Sequence, residues 1–224
     1  MRSMTTTGRF ITFEGGEGSG KSTQVRRLSE RLRLQGIDVV ETREPGGSPG
    51  AEAIRHLLLG GFAKPLGTEA EAMLFAAARD DHMAETIRPA LRRGAWVICD
   101  RFIDSTRVYQ GALGNVDRRL IRSLERLVVG PDMPDLTIVL DLDPDIGLTR
   151  VSKRGEGTDR FENENFEFHK QLRAAYRDIA EHETERCVLI DADANADVVA
   201  VRVWMAVSER LLRASGEGDE RAAG

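Results

Sequence analysis

Cysteine is scarce in this sequence. Cys99 and Cys187 are the only two, they lie far apart, and no C-x-x-C pair exists. That excludes a disulfide framework and a zinc ribbon; both thiols sit in apolar runs and are expected buried and reduced, as suits a cytoplasm. The histidines, His56, His82, His169 and His182, have no metal-ligand spacing and are read as surface or packing residues. Positive charge is in deficit, with 32 Lys and Arg against 37 Asp and Glu and a net charge of −5. No global positive field therefore draws the chain to nucleic acid or to an acidic membrane surface. No apolar run approaches the ~20 residues that span a bilayer. The opening MRSMTTTGR has a positive start but lacks the apolar stretch of a signal peptide. No internal repeat is visible.

What is present begins at residues 9–23, RFITFEGGEGSGKST. The apolar run Phe10, Ile11 and Phe13 leads into Gly15, Gly16, Glu17, Gly18, Ser19, Gly20, Lys21 and Ser22, which read G-x-x-x-x-G-K-S. This is the phosphate-binding P-loop pattern. Glycines let the backbone turn tightly and aim successive N–H groups at one point. The following helix adds its free N–H groups and positive dipole end. Val25, Leu28 and Leu32, spaced i, i+3, i+7, supply that helix. Lys21 is placed to reach the β- and γ-phosphates of a nucleotide, and the Ser22 hydroxyl to ligate Mg²⁺.

The rest of the chain alternates. Strands are expected at residues 9–14, 37–42, 95–99, 136–142 and 187–190. Helices are expected at 21–35, about 51–59, from 68 onward, from 144 onward, and at 163–183 and 195–213. Thr68 and Glu71 read as a T-x-x-E capping box, and Met73, Leu74, Ala77, Ile87 and Leu91 as the apolar stripe of the helix behind it. Continuous apolar runs suit strands buried on both faces. The expected fold is α/β: a three-layer P-loop NTPase fold, with a mostly five-stranded parallel sheet flanked by helices and a mobile lid. In such sheets ligands sit beyond the carboxyl ends of the strands. The informative residues are therefore the P-loop, Arg43 and Glu44, Asp100 and Arg101, and Asp191. Asp100 ends an apolar strand, as the acid of a Walker B element does, and could hold Mg²⁺; otherwise it caps the next turn. Arg101 suits bidentate contact to a second phosphate, or else a surface ion pair.

A P-loop does not name the phosphate acceptor. The GTPase strings D-x-x-G and N-K-x-D are absent, which disfavours a regulatory switch. Further motifs are more specific: TREPGG at 42–47, LFAAARDDH at 74–82, DRFIDSTRVYQG at 100–111 and RGEGTDRFE at 154–162, all following FEGGEGSGKST at 13–23. With these in order the chain resembles the bacterial thymidylate kinase family over about residues 9–212. The resemblance implies conversion of dTMP and ATP to dTDP and ADP in dTTP biosynthesis, with Mg²⁺ accompanying ATP. It implies one kinase domain at 9–213 with a lid at about 150–162; residues 1–8 are expected to be a flexible stretch, and 214–224, polar and Gly-rich, a flexible tail. It also implies a cytoplasmic homodimer packed through helices, with no nucleic-acid or membrane partner.

Site residues carry over by position. Gly15 to Thr23 would cradle the ATP phosphates. Glu17 would stand near the sugar 3′-hydroxyl. Arg43 and Glu44 would line the acceptor side. Phe75 matches the aromatic that stacks on thymine; by spacing alone it is a core residue of a helix stripe. Arg79 matches the arginine that hydrogen-bonds the base, and Arg101 the one that grips the dTMP phosphate. Ser105, Thr106, Tyr109 and Gln110 match the segment around base and sugar, where Tyr109 would exclude a ribose 2′-hydroxyl by steric conflict. Some family members carry arginine where this chain has Gly18. Members without it draw the catalytic cation from the lid, where Lys153, Arg154 and Arg160 are candidates, Arg154 first and Arg160 second. The lid is one residue longer than the family pattern. The acceptor residues alone argue for thymine over the base of another nucleoside monophosphate, and a nucleotide-binding regulator is the remaining alternative.

Overall fold

The computed structural model describes residues 8–154 and 164–212. Five strands, β1 (Phe10–Gly15), β2 (Val39–Arg43), β3 (Trp96–Asp100), β4 (Leu136–Asp141) and β5 (Cys187–Asp191), form one sheet. Their order is β2-β3-β1-β4-β5, and every pairing is parallel. The expected α/β fold is present.

Side chains alternate across the sheet, as the period of two requires. Ile11 and Phe13 of β1, Trp96 and Ile98 of β3, and Ile138 and Leu140 of β4 share one core. It is covered by α1 (Lys21–Leu34), through Val25, Leu28 and Leu32, and by α9 (Ala196–Val207), through Val199, Val203 and Val207. On the opposite face, Phe10, Val97 and Cys99 meet Met83, Ile87 and Ala90. Those three belong to a long helix: α3 (Thr68–His82), a π turn at Met83–Ile87, then α4 (Arg88–Arg92). Val139 and Cys187 meet Leu172, Tyr176 and Ala180 of α8 (Phe166–His182) on that same face. Burial on both faces is why these strands read as unbroken apolar runs.

Several expectations need correction. Thr68 is not a cap: Gly67, at φ 87°, holds the N-cap position, and no side chain caps α3. The glycine turns the chain into the helix and its carbonyl accepts from Glu71 N, so Thr68 is already helical. The buried residues of α3 are Glu71, Ala72, Ala76, Ala78, Arg79 and His82, continuing through Met83 and Ile87, whereas Met73 is 49% exposed. Small alanines bring the helix close enough to bury two charged residues and an imidazole. α2 (Pro49–Leu59) begins two residues before the expected 51, with Pro49 in its first turn. Two further helices were not expected: α5 (Ile103–Thr106), running into a π turn at Arg107–Leu113, and α6 (Arg118–Val128), capped by Asp117. α7 (Pro144–Arg154) follows β4.

A polar seam crosses the α3–α8 face. Thr12 Oγ1 and Thr137 Oγ1 lie 2.8 Å apart beneath α5. Arg186 donates to Thr137 Oγ1 at 2.7 Å and grips Asp104 through both terminal nitrogens, at 2.7 and 2.8 Å. Arg107 adds a third contact to Asp104 at 3.1 Å and continues to Glu125 and Glu183. Asp104 is fully buried. Removing one member of such a pair strands the other's charge. Asp104→Asn is expected to lower unfolding free energy by about 3 kcal/mol or more, read as a shifted urea midpoint at unchanged slope.

Candidate active site

The P-loop starts where β1 ends. Gly15, at φ 137°, turns under Leu140, whose carbonyl would stand 2.5 Å from any Cβ there. Gly20, at φ 91°, is the N-cap of α1. Lys21 is buried, and Nζ donates to Gly15 O at 3.1 Å and Gly16 O at 2.9 Å. Ser19 Oγ donates to Gly16 O at 2.8 Å. Burial, then the nearby Arg101 charge, pull the Lys21 pKa down; Glu17 and Asp100 oppose them.

Parallel pairing brings the other strand ends alongside. Phe13 registers with Asp100, and Asp100 with Arg43. Ser22 Oγ donates to Asp100 Oδ2 at 2.7 Å, so the two residues expected to hold a cation are in contact. Arg101 follows with φ 69°, a left-handed conformation that a non-glycine residue adopts only when its surroundings impose it. Its guanidinium pairs with Glu17 and also donates to Tyr176 OH at 3.2 Å and to Gly15 O and Ser105 Oγ at 3.3 Å. Tyr109 OH donates to Glu17 Oε1 at 3.0 Å. Burial alone would raise the Glu17 pKa; the Arg101 and Lys21 charges outweigh it and hold it at about 2.

Of the expected site residues, Glu17, Gly18, Gly20, Lys21, Ser22, Thr23, Arg43, Glu44, Phe75, Arg79, Asp100, Arg101, Ser105, Thr106, Tyr109 and Gln110 line one cavity of about 280 Å³. Gly15, Gly16 and Ser19 build the loop behind it. Phe75, for which spacing alone favours the core, lines the cavity instead. Asp191 is not brought there; it pairs with Arg202 at 2.8 Å. Arg154 is the last residue of α7, and its side chain, like the whole of Arg160, lies outside the described residues.

Some contributors escaped the sequence reading. Glu14 is fully buried and accepts four hydrogen bonds: from Phe102 N at 2.8 Å, Ser105 N at 3.2 Å, Ser105 Oγ at 2.7 Å and Tyr176 OH at 3.1 Å. Burial and the Asp104 charge push its pKa up to about 7, against Arg101 and these donors. His82 and Tyr176 are likewise buried behind the cavity wall. A carboxylate inside a strand covered on both faces is itself a signal, because such a group must find partners.

Gly18 meets α7 backbone to backbone. A Cβ on Gly18 would stand 2.1 Å from Gly147 O, and one on Gly147 would stand 2.3 Å from Glu17 O. The P-loop of this chain therefore has no room for a side chain at position 18 while α7 keeps its place.

The sequence matches the family model described as thymidylate kinase over residues 13–203. A thymidylate kinase of Nitrobacter winogradskyi is 59% identical over 209 residues, spanning 92% of this chain and 91% of that protein. One of Bradyrhizobium diazoefficiens is 59% identical over 207 residues, with coverage of 92% and 91%. Among solved structures, a crystal structure of thymidylate kinase from Ehrlichia chaffeensis superposes with a TM-score of 0.73 at 35% identity, covering 89% of this chain and 98% of that one.

The glycine contact generates a test. Gly147→Ala must push the P-loop and α7 apart, since the colliding atom is a backbone oxygen. Binding of a fluorescent ATP analogue is expected to weaken about tenfold or more, an effect of misplaced positioning groups, while circular dichroism keeps its helical signal.

Proposed function

The chain belongs to the thymidylate kinase family, and on that premise we propose how its cavity phosphorylates dTMP to dTDP with ATP as donor. One observation carries the reading. The phosphate loop and the pair Phe75 and Arg79 open onto the same cavity, and Arg101, paired with Glu17 of the loop, lines it as well. A donor triphosphate on the loop and a pyrimidine nucleotide against Phe75 would then direct their phosphates at one another.

The acceptor is already ionised at neutral pH, so its phosphate oxygen can attack the γ-phosphorus in line without a strong general base. Catalysis is positioning plus charge stabilisation. Lys21 neutralises donor phosphate charge. Arg101 binds the acceptor phosphate. Ser22 and Asp100 supply adjacent hard oxygen ligands, a donor set that suits Mg²⁺ completed by water and phosphate oxygens. Bound there, Mg²⁺ would neutralise charge on the ATP phosphates. Phe75 would stack on the base and Arg79 would hydrogen-bond it. Ser105, Thr106 and Gln110 would close around base and sugar with Tyr109, whose hydroxyl is fixed on Glu17 where a ribose 2′-hydroxyl would intrude. The remaining cation comes from the lid, Arg154 or Arg160, because position 18 has no room for one.

Residues 9–213 read as one kinase domain in the cytoplasm. Two buried free thiols support that compartment, and no described helix is long and apolar enough to cross a membrane. A homodimer is supported by Leu57, Phe62, Leu66, Met73 and Leu127, large apolar side chains 47–80% exposed on α2, α3, α6 and the link between α2 and α3.

An ADP-release assay with ATP and Mg²⁺ against dTMP, dUMP, dCMP, dGMP, UMP and no acceptor tests the reaction. Strong turnover with dTMP, weaker with dUMP and almost none with UMP is expected; turnover favouring another acceptor discards the assigned base contacts. Light scattering is expected to give twice the 24.8 kDa chain mass, and Leu127→Glu to move it toward the monomer.

A further inference from the structure

α3 carries a relay that the phosphate chemistry does not use. His82 is fully buried, does not line the cavity, and has a partner on each ring nitrogen. Nδ1 lies 3.0 Å from Glu44 Oε1, and Nε2 lies 2.6 Å from Thr42 Oγ1. Glu44 Oε2 accepts from Arg79 Nε at 2.7 Å. Paired with a guanidinium, the carboxylate is an acceptor, so His82 donates to it through Nδ1. Thr42 holds the far side of the ring.

A hydroxyl, an imidazole and a carboxylate in series are also the parts of a hydrolytic triad. Gly47 excludes that reading. Its backbone lies over the Thr42 hydroxyl so closely that a Cβ would stand 2.3 Å from Oγ1 and 2.5 Å from His82 Nε2. No substrate carbon can reach that oxygen. The relay is structural in direction: it runs from β2 through α3 to the carboxylate that faces the cavity.

α3 and the π turn that continues it hold this loop at other points as well. Thr86 Oγ1 donates to Gly47 O at 2.7 Å, and Asp81 accepts from Ser48 Oγ at 2.6 Å and Ala51 N at 3.0 Å. His82 is the member of the set that touches a cavity-lining side chain. Arg79 passes the connection on, donating through Nη2 to Thr106 Oγ1 at 3.1 Å and Phe102 O at 3.3 Å. Glu44 and Arg79 thus form one rigid edge of the acceptor pocket, held from behind by His82.

We propose that His82 is a positioning residue for the acceptor nucleotide, fixing Glu44 against Arg79 so that the pair presents one edge to the bound monophosphate. This rests on the acceptor reading given above. Without the imidazole, the buried Oε1 loses its donor, and an unsatisfied buried carboxylate oxygen is costly. With that oxygen unpaired, Glu44 would no longer be held in place against Arg79. Donor binding, which uses the P-loop, would not change.

The test is steady-state kinetics of the wild type, His82→Ala, His82→Asn and Thr42→Val, with thermal midpoints measured in parallel. Each is assayed with the monophosphate that the wild type turns over fastest, so a failure of dTMP as acceptor shows in the wild type alone and the relay is still tested. His82→Ala is expected to raise the acceptor KM about tenfold, the scale of one charge-assisted hydrogen bond, with ATP KM within about twofold. His82→Asn keeps a donor for Glu44 and is expected to recover most of the loss. Thr42→Val keeps the shape and frees the ring, so it is expected to raise acceptor KM about threefold, and it carries the test if the alanine variant does not fold. Unchanged acceptor KM in both His82→Ala and Thr42→Val would overturn the proposal. So would equal rises in both KM values, or no recovery with asparagine, since these mark a structural role alone.

Discussion

The turn from β3 into α5 depends on one buried carboxylate, Glu14. α5 is four residues long and has no side-chain cap of its own. Its first free N–H groups, those of Phe102 and Ser105, are satisfied by Glu14 from the neighbouring strand. Directly before them Arg101 sits in a left-handed conformation that costs roughly 1–3 kcal/mol. That conformation persists because its neighbours are tied down: Arg101 N donates to Phe13 O, and Phe102 N to Glu14 Oε1. Ser105 and Tyr176, which also bond Glu14, hold the Arg101 guanidinium from the other side. The aim of Arg101, the arginine proposed to grip the acceptor phosphate, is therefore set by a residue on another strand. Glu14 binds its proton more tightly folded, at about 7, than unfolded. Its contribution to stability thus falls as pH rises from about 4.5 to about 7, and the site is kept at some expense to the fold.

How much of this was legible depends on whether the cause is local. β1, β3 and β4 are continuous apolar runs because both faces are covered, and the P-loop is a backbone device that needs glycine at fixed spacing. These could be read directly. α6 carries readable signals as well, an Asp117 cap and Ile121, Leu124 and Val128 at helical spacing. α5 could not be found that way, because its stabilising group is 88 positions away in sequence from Phe102. Thr68 shows the opposite failure: a good local capping pattern gave way to a glycine whose backbone conformation already starts the helix. Sixteen of the site residues taken from the ordered motifs line one cavity, whereas Arg160 and the Arg154 side chain lie outside the described residues. The residues behind those sixteen, Glu14, His82, Asp104 and Tyr176, do not line the cavity; the first three lie inside the ordered motifs, but nothing in those strings shows that they support the lining from behind.

The Gly18 position shows how one missing side chain shapes the rest of the site. Two glycines, one in the P-loop and one in the first turns of α7, let two backbones approach within contact distance. α7 is anchored to α8 at its start: Arg173 donates to Asp143, whose carboxylate also accepts from Asp145 N. It holds the P-loop again through Arg150, which donates to Gly18 O at 3.5 Å. The helix that ends at Arg154 is thus seated on the P-loop itself. A side chain at position 18 and this seating are mutually exclusive, which is a steric reason behind the proposal that the remaining cation comes from elsewhere.

In the proposed reaction Arg101 serves an incoming phosphate while already paired with Glu17, and the geometry separates those two tasks. Glu17 is mostly buried and stays ionised far below neutral pH, so the pair does not titrate away under working conditions. The pair occupies Nη2. The Nη1 contacts, to Gly15 O, Ser105 Oγ and Tyr176 OH, are all 3.2 Å or longer and neutral. A phosphate dianion displaces these weak bonds at little cost, since charge-assisted hydrogen bonds are shorter and about twice as strong. The ion pair with Glu17 can then remain as the fixed pivot. Tyr109, bonded to the same carboxylate oxygen, keeps its position as well. A substrate that had to break the Glu17 pair would lose that pivot and the tyrosine together, and with them the wall proposed to exclude a ribose 2′-hydroxyl.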